Sequence, residues 1–199
     1  VIEKIRKNLL DLFIITASFF IVMPFFGINR TTDFIIFCIF VLGFNLLYGY
    51  MGRLSFGHML YLGLGAYTVT LFSEHLSKNP FLALIASICA GALIGIIIGP
   101  IIVRTTGACF ALINLAFNQV GYFLALVAFS KWTGGEDGMS AYFTKLSFID
   151  FGKKPVIFSF CMFSLLLTYF ILKKLLSSPY GILIKSIKEN ETRAKFLGY

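Results

Sequence analysis

The sequence predicts an all-α fold, a polytopic transmembrane helical bundle of about six spans with a cytoplasmic N-terminus. Three observations predict it. Of the 199 residues, 58% are hydrophobic and 13% charged, against about 25% charged in soluble domains. Mean hydropathy is +0.89, which means more apolar surface than a water-soluble fold of this size hides. The apolar residues also gather into six segments near bilayer length, roughly 9–28, 34–50, 54–73, 80–103, 107–130 and 155–172. The same composition excludes a disordered chain, and no Cys/His cluster points to a zinc module.

The first segment follows a basic start (Lys4, Arg6, Lys7). Its length from Leu9 to Ile28, with no A-x-A cleavage site after it, favours an uncleaved span over a signal peptide. The second segment is short, and a glycine-rich junction joins it to the third. The fourth carries Gly91, Gly95 and Gly99, a flat stripe along which another helix packs closely. The fifth carries Asn114, Asn118 and Gln119. Cys38, Cys89, Cys109 and Cys161 all fall inside apolar runs and are expected as small buried hydrophobes, not a disulfide framework. Beyond the sixth segment, Ser178-Pro179 predicts a helix start, Ser as N-cap and Pro at the first position. Gly198 suits its C-terminal stop. The chain begins with Val1 and stops at Tyr199 within a helical pattern, which suggests a truncated reading frame.

Basic residues orient the spans. With the N-terminus inside, the inner segments hold Lys4, Arg6, Lys7, Arg53, Arg104 and the six bases of residues 173–199. The outer segments hold Arg30, Lys78, Lys131, Lys145, Lys153 and Lys154, nearly cancelled by Asp33, Glu74, Glu136, Asp137 and Asp150. This satisfies the positive-inside bias, which also accounts for the net charge of +8 without nucleic acid. It makes 131–154 the long external loop and 173–199 a basic cytoplasmic segment.

Several features bear on function. Gly49, Gly52, Gly57, Gly63 and Gly65 fall within 17 residues around Arg53, Ser55 and His58. At about 1 kcal/mol each relative to alanine, they predict a broken or closely packed helix. Such breaks line substrate paths in transporters, or they serve tight packing and a turn. His58 suits a hydrogen-bonded packing role or a proton relay. Asn114 and Asn118 share a helix face, and with Gln119, and Asn45 of the second span, they either line a polar path or bond between helices. Thr133, Gly134, Gly135, Glu136, Asp137 and Gly138 form a glycine-rich acidic loop without the GK[ST] ending of a phosphate loop. A turn or a docking surface fits it better than a metal site. The 178–199 helix places Leu183, Ile187, Ala194 and Leu197 near one face, and pairs Glu189 with Arg193 and Glu191 with Lys195. Its mixed charges favour docking into a soluble partner over lying on lipid.

Three stretches together resemble one family: GYMGRLSFGHMLYLGLGAY (49–67), TGGEDGM (133–139) and SPYGILIKSIKENETRAKFLGY (178–199). FALINLAFNQVGYF (110–123) agrees with them. They are similar to the LivM-like permeases of branched-chain amino acid ABC importers. The resemblance implies one permease domain over 1–199, incomplete at its C-terminus and covering about the N-terminal two-thirds of a family member. It implies a second, LivH-like permease, two cytoplasmic ATP-binding subunits and a periplasmic substrate-binding protein as partners, in a bacterial inner membrane with no nucleic acid. ATP and Mg would be bound by the partners, so this chain carries no cofactor and no catalytic or metal residues. By resemblance the 178–199 helix is the ATPase-coupling segment, comprising Ser178, Pro179, Gly181, Lys188, Glu189, Asn190, Glu191 and Gly198. The family frequently has Arg after the SPxG glycine, where this chain has Ile182.

The expected function is therefore alternating-access translocation of leucine, isoleucine or valine, driven by partner ATPases. The candidate path residues are Asn45, Gly52, Ser55, Gly57, His58, Asn114, Asn118 and Gln119. Urea, short amides or other amino acids are alternative solutes. An ATP-independent transporter or channel is the alternative class, disfavoured because Asp11, near the inner edge, is the one charge found in the spans. No paired carboxylates, His cluster or activated nucleophile point to a membrane enzyme.

Overall fold

The computed structural model describes residues 2–141, 143 and 150–189, with side chains from residue 10 onward. Every element among them is helical. In order they are α1 (Ile2–Phe26), α2 (Ile28–Asn45), α3 (His58–His75), α4 (Pro80–Val103), α5 (Gly107–Phe123), α6 (Ser130–Thr133), α7 (Lys154–Leu176) and α8 (Pro179–Glu189). Two π-helical turns, Leu46–Met51 and Leu124–Ala128, extend α2 and α5. The chain divides into two compact units. One is Val1–Leu46 with Ile149–Tyr199, and the other is Leu47–Phe148.

The first unit is a three-helix packing of α1, α2 and α7. Its core joins Ile35 with Phe158, Met162 and Leu165, and Ile15, Phe19 and Met23 of α1 pack against them. Gly27 alone turns α1 into α2. Its φ is +80°, a conformation open to glycine at little cost. The turn is closed by Gly27 N–H to the Met23 carbonyl and by Thr31, whose N–H and hydroxyl both donate to the Gly27 carbonyl. In the first half of α1, the Asp11 carboxylate accepts from Lys173 Nζ and from the Tyr169 hydroxyl of α7. The first half of α1 thus runs beside the end of α7, and the Phe20–Phe158 edge contact joins the second half of α1 to the start of α7. The two helices are antiparallel.

In the second unit, α3 packs against α4 and α5. Asn79 caps α4 by accepting from the Phe81 N–H at 3.0 Å, with Pro80 in the first turn. Of the expected glycine stripe, Gly95 approaches Tyr61 of α3, while Gly91 and Gly99 face open space.

Several boundaries correct the sequence reading. Arg30 and Asp33, expected in an outer loop, lie inside α2, because the single-residue turn at Gly27 lets the helix resume at once. Together α2 and its π turn span 24 residues, so the second segment is not short. The third helix begins at His58 and not at 54, since Gly52 (φ +74°) starts a non-helical stretch. Lys173 and Lys174, assigned to the cytoplasmic segment, close α7. Among the described residues, four helices are long and apolar enough to cross a membrane: Ile28–Met51, Pro80–Val103, Gly107–Ala128 and Lys154–Leu176. Leu10–Phe26 is a shorter apolar helix, and α3 carries Glu74 and two histidines near its ends. The four cysteines, expected to be buried, are less so: Cys38 and Cys161 are half-buried, and Cys89 and Cys109 are exposed on apolar helix faces. Many large apolar side chains point outward with them, Phe13, Ile96 and Phe163 among them. A membrane protein presents such a surface to lipid.

The Asp11–Lys173 pair is about one-third exposed on both sides, so its worth is modest. Asp11→Ala and Lys173→Ala are each expected to lower thermal stability in detergent, and in a double-mutant cycle the two losses should fall short of additive. Strict additivity of the two losses would show that the pair contributes nothing.

Candidate functional site

The break between α2 and α3 is held by α5. Ser55 and Asn114 are 5% and 4% exposed. The Asn114 amide nitrogen donates to the Phe110 carbonyl at 2.8 Å, and its amide oxygen accepts from the Ser55 hydroxyl at 3.2 Å. Both ends of one buried amide are therefore used, as burial in an apolar setting requires. Arg53 lies over the Phe110 ring, 5.4 Å from its centroid, within cation–π range. Its Nη1 also donates to the Thr105 carbonyl at 3.4 Å, just beyond the end of α4. Phe110 consequently serves twice, its ring toward Arg53 and its carbonyl toward Asn114.

Two glycines make this approach possible. A Cβ on Gly57 would stand 2.8 Å from Asn114 Oδ1 and 3.0 Å from the Asn114 carbonyl oxygen. A Cβ on Gly121 would meet a Leu60 methyl at 2.2 Å. Phe110, Asn114 and Gly121 recur along one face of α5 at helical spacing, and Arg53, Ser55, Gly57 and Leu60 meet that face in chain order.

Among the candidate path residues, the structure thus brings Ser55, Gly57 and Asn114 together. His58 follows directly, half-buried at the start of α3. Gly52 is exposed and supplies the left-handed turn. Asn118 is half-buried and Gln119 exposed, so Gln119 does not share the buried face. Asn45 is exposed at the end of α2, in the first unit. The contribution of Phe110, Leu60 and Gly121 was not singled out from sequence, where they look like ordinary span residues.

The TGGEDG loop folds back on itself. Thr133 is 5% exposed and its hydroxyl donates to the Phe129 carbonyl at 2.9 Å. Gly134, Gly135 and Gly138 all have positive φ, and a Cβ on Gly134 would lie 2.3 Å from the Gly138 carbonyl oxygen. Asp137 sits in the 3-10 turn Gly135–Asp137, its N–H donating to the Gly134 carbonyl.

In the first unit, α8 leaves α7 through a tight elbow. Pro179 opens α8 as expected, and the Ser178 carbonyl accepts from the N–H groups of Gly181 and Ile182 while its hydroxyl donates back to the Leu175 carbonyl. Gly181 is buried, and a Cβ there would lie 2.2 Å from the Leu176 carbonyl oxygen and 2.5 Å from its Cα. Leu183 and Ile187 are half-buried, whereas Ile182, Lys185, Lys188 and Glu189 are exposed. Ile182, Lys185 and Glu189 fall on one face by spacing. Asn190, Glu191 and Gly198 of the coupling set, with Ala194 and Leu197, lie outside the described residues.

The Gly57 contact is directly testable. Gly57→Ala forces Asn114 aside and is expected to cost about 1–3 kcal/mol, read as a fall in melting temperature in detergent. Gly63→Ala, a helical position with nothing within 4 Å, should be neutral or stabilising by up to about 1 kcal/mol. Equal effects at the two sites would remove the role given to the Gly57–Asn114 contact.

Residues 27–199 match the family described as branched-chain amino acid transport system / permease component. The chain is 24% identical over 219 residues to the high-affinity branched-chain amino acid transport system permease protein LivM of Salmonella typhimurium, covering 98% of this chain and 51% of that protein. It is 27% identical over 204 residues to the protein of the same name from Escherichia coli, covering 88% of this chain and 48% of that protein. The chain spans about half the length of these relatives, a smaller share than the two-thirds expected. No solved structure matches it. With the match running from α2 through α8, the chain belongs to the branched-chain amino acid transport system permease family.

Proposed function

We propose that this chain acts as a membrane-spanning permease subunit of an ATP-binding cassette importer that moves branched-chain amino acids inward across a bacterial inner membrane. The observation that carries the reading is the family match across residues 27–199, which takes in the broken helix, the glycine loop and the start of the coupling segment. The partners are a second, LivH-like permease, two ATP-binding subunits and a periplasmic binding protein. ATP and Mg, bound by those subunits, supply the energy, and this chain has no catalytic step of its own.

The geometry supports a division of labour. The end of the first unit that carries Asp11 and Lys173 is also where α8 departs, and the basic residues Lys4, Arg6, Lys7 and Lys174 belong to it. That bias favours the cytoplasmic side for this end. There α8 offers Ile182, Lys185 and Glu189 to an ATPase cleft. Because Gly181 seats α8 against the backbone of Leu176, a push on α8 turns the end of α7 with it and does not merely flex a linker. Asp11 passes the same displacement to α1. In the second unit the Ser55–Asn114 joint keeps the broken helix closed against α5, with Gly52 and Gly57 as the positions about which the break can rotate. Alternating access follows if the two arrangements of these helices differ in which face of the membrane they open.

The test uses the chain assembled with its ATP-binding partners in liposomes. Reversing both Glu189 and Glu191 to Lys should lower leucine uptake and transport-coupled ATPase turnover about tenfold, with membrane insertion intact. Gly181→Ala, which pushes α8 off α7, should uncouple similarly while leaving ATPase binding in place. Unchanged coupling in both variants overturns the assignment of α8. Uptake driven by an ion gradient without ATP would overturn the importer class.

A further inference from the structure

The second unit has a second polar feature at the opposite end of α3 from Arg53. The 18 residues of α3 carry the chain about 27 Å, close to the thickness of a hydrocarbon core. There the last turn of α3 and the segment from α6 onward wall an open cavity of about 890 Å³. Glu74, His75 and Lys78 line it from one side, and Lys131, Trp132 and Met139 from the other. The walls are firmly seated. Ser73, 3% exposed, donates to the Thr70 carbonyl at 2.8 Å, and Thr133 is buried on the facing side. The left-handed glycines of the TGGEDG loop fold the chain edge that carries Gly134 and Gly138 into the cavity wall.

We propose that this cavity receives a free α-amino acid with an apolar side chain. A zwitterion presents an ammonium and a carboxylate one carbon apart, so its receptor needs an anion and a cation facing one space. Glu74 supplies the anion and Lys131 the cation, and Lys78 adds to the positive field. An apolar side chain needs a non-polar wall, which Trp132, 68% exposed, and Met139 provide. A simple anion is repelled by Glu74 and a simple cation by Lys78 and Lys131. A neutral solute such as urea can hydrogen-bond to both groups but gains no ion pair from either. The volume lies in the range of small-molecule sites and leaves room for water around an amino acid. The charged groups are exposed, so binding is weak, as suits a site that passes its solute on. The inference deepens the proposed function and rests on it for the direction of travel, while the charge pattern stands by itself.

Trp132 is the chain's one tryptophan, so its emission reports occupancy directly. The full chain in lipid nanodiscs is titrated with L-leucine, with 4-methylpentanoate (no ammonium), with leucinol (no carboxylate) and with urea. A saturable change with leucine is expected, and the two one-charge analogues should bind about five-fold more weakly. Glu74→Gln should weaken leucine about five-fold while strengthening the response to 4-methylpentanoate, which it no longer repels, and Lys131→Gln should weaken leucine likewise while strengthening the response to leucinol. A flat leucine titration, or equal responses to leucine and both analogues, overturns the proposal. So does a leucine-insensitive signal that shifts only when a periplasmic binding protein is added, which would make the cavity a docking surface. Leucine uptake by the assembled importer separates the two readings. A flat titration with intact uptake removes the cavity site alone, and a positive titration without ATP-driven uptake removes the importer reading alone.

Discussion

Hydrocarbon offers no hydrogen-bond partner, so a polar group inside a lipid-facing helix has to find one within the protein. That constraint governs this chain at every scale. The hydroxyls of Thr16, Thr31, Thr32, Thr68, Thr70, Ser159 and Ser164 all donate to the carbonyl four residues earlier. Such bonds hide the hydroxyl on its own helix and leave the outer face free for lipid. Where the constraint meets a break in the helix, the solution cannot be local. Residues 52–57 leave the helical path, and the side chains of that stretch are answered from α5 and from the end of α4 by Asn114, the Phe110 ring and the Thr105 carbonyl. Among the described residues, no buried side-chain nitrogen or oxygen is left without a hydrogen bond.

The same logic explains what the sequence made legible. Apolar run length located the helices, because backbone satisfaction in lipid leaves little besides helix to form. Glycine density located the break, because a helix that needed no break would not keep Gly49, Gly52 and Gly57 so close. The amide of Asn114 stood out because its burial is costly unless paired. What stayed hidden was the pairing itself. Nothing in the order of residues says that Ser55, and not Gln119 or Asn45, takes the Asn114 oxygen, since partners 59 residues apart are chosen by how α3 packs on α5. Phe110 and Gly121 escaped notice for a related reason. A phenylalanine and a glycine are ordinary in a span, and their roles arise only from the ring and the gap that face Arg53 and Leu60. The single-residue turn at Gly27 was missed because Arg30 and Asp33 resemble loop residues, whereas a positive φ at Gly27 is enough to start a new helix.

Glycine has a different duty at each place where it matters. At Gly27 it provides a backbone conformation, with nothing near enough to touch an added Cβ. At Gly57 and Gly181 it provides distance, letting a helix start rest on an amide and an elbow rest on a backbone. At Gly134 both apply, since φ is +73° and the Gly138 carbonyl lies where a side chain would begin. The contact at Gly57 includes the Asn114 side chain, which can adjust, whereas the contact at Gly181 is with main chain alone and cannot. Stiffness is therefore concentrated at the elbow between α7 and α8.

On the proposed reading, the stiff elbow in one unit and the paired break in the other serve to move helices by force applied outside the membrane. Force on α8 is useful only if it reaches the spans before it is lost in bending, and backbone contact at Gly181 shortens that path to one turn. Motion of the spans is useful only if some joint yields while keeping its hydrogen bonds, because opening them to lipid costs several kcal/mol per group. The Ser55–Asn114 joint meets that condition. The hydroxyl can rotate and the amide remains bound to its own helix through Phe110, so a small rotation about Gly52 and Gly57 exchanges one geometry of the Ser55 bond for another without stranding a donor. On the proposed reading, in which load enters through α8, the glycines and amides of these helices are distributed to serve a driven permease: rigid at the α7–α8 elbow, and hydrogen-bonded but adjustable where the helix is broken.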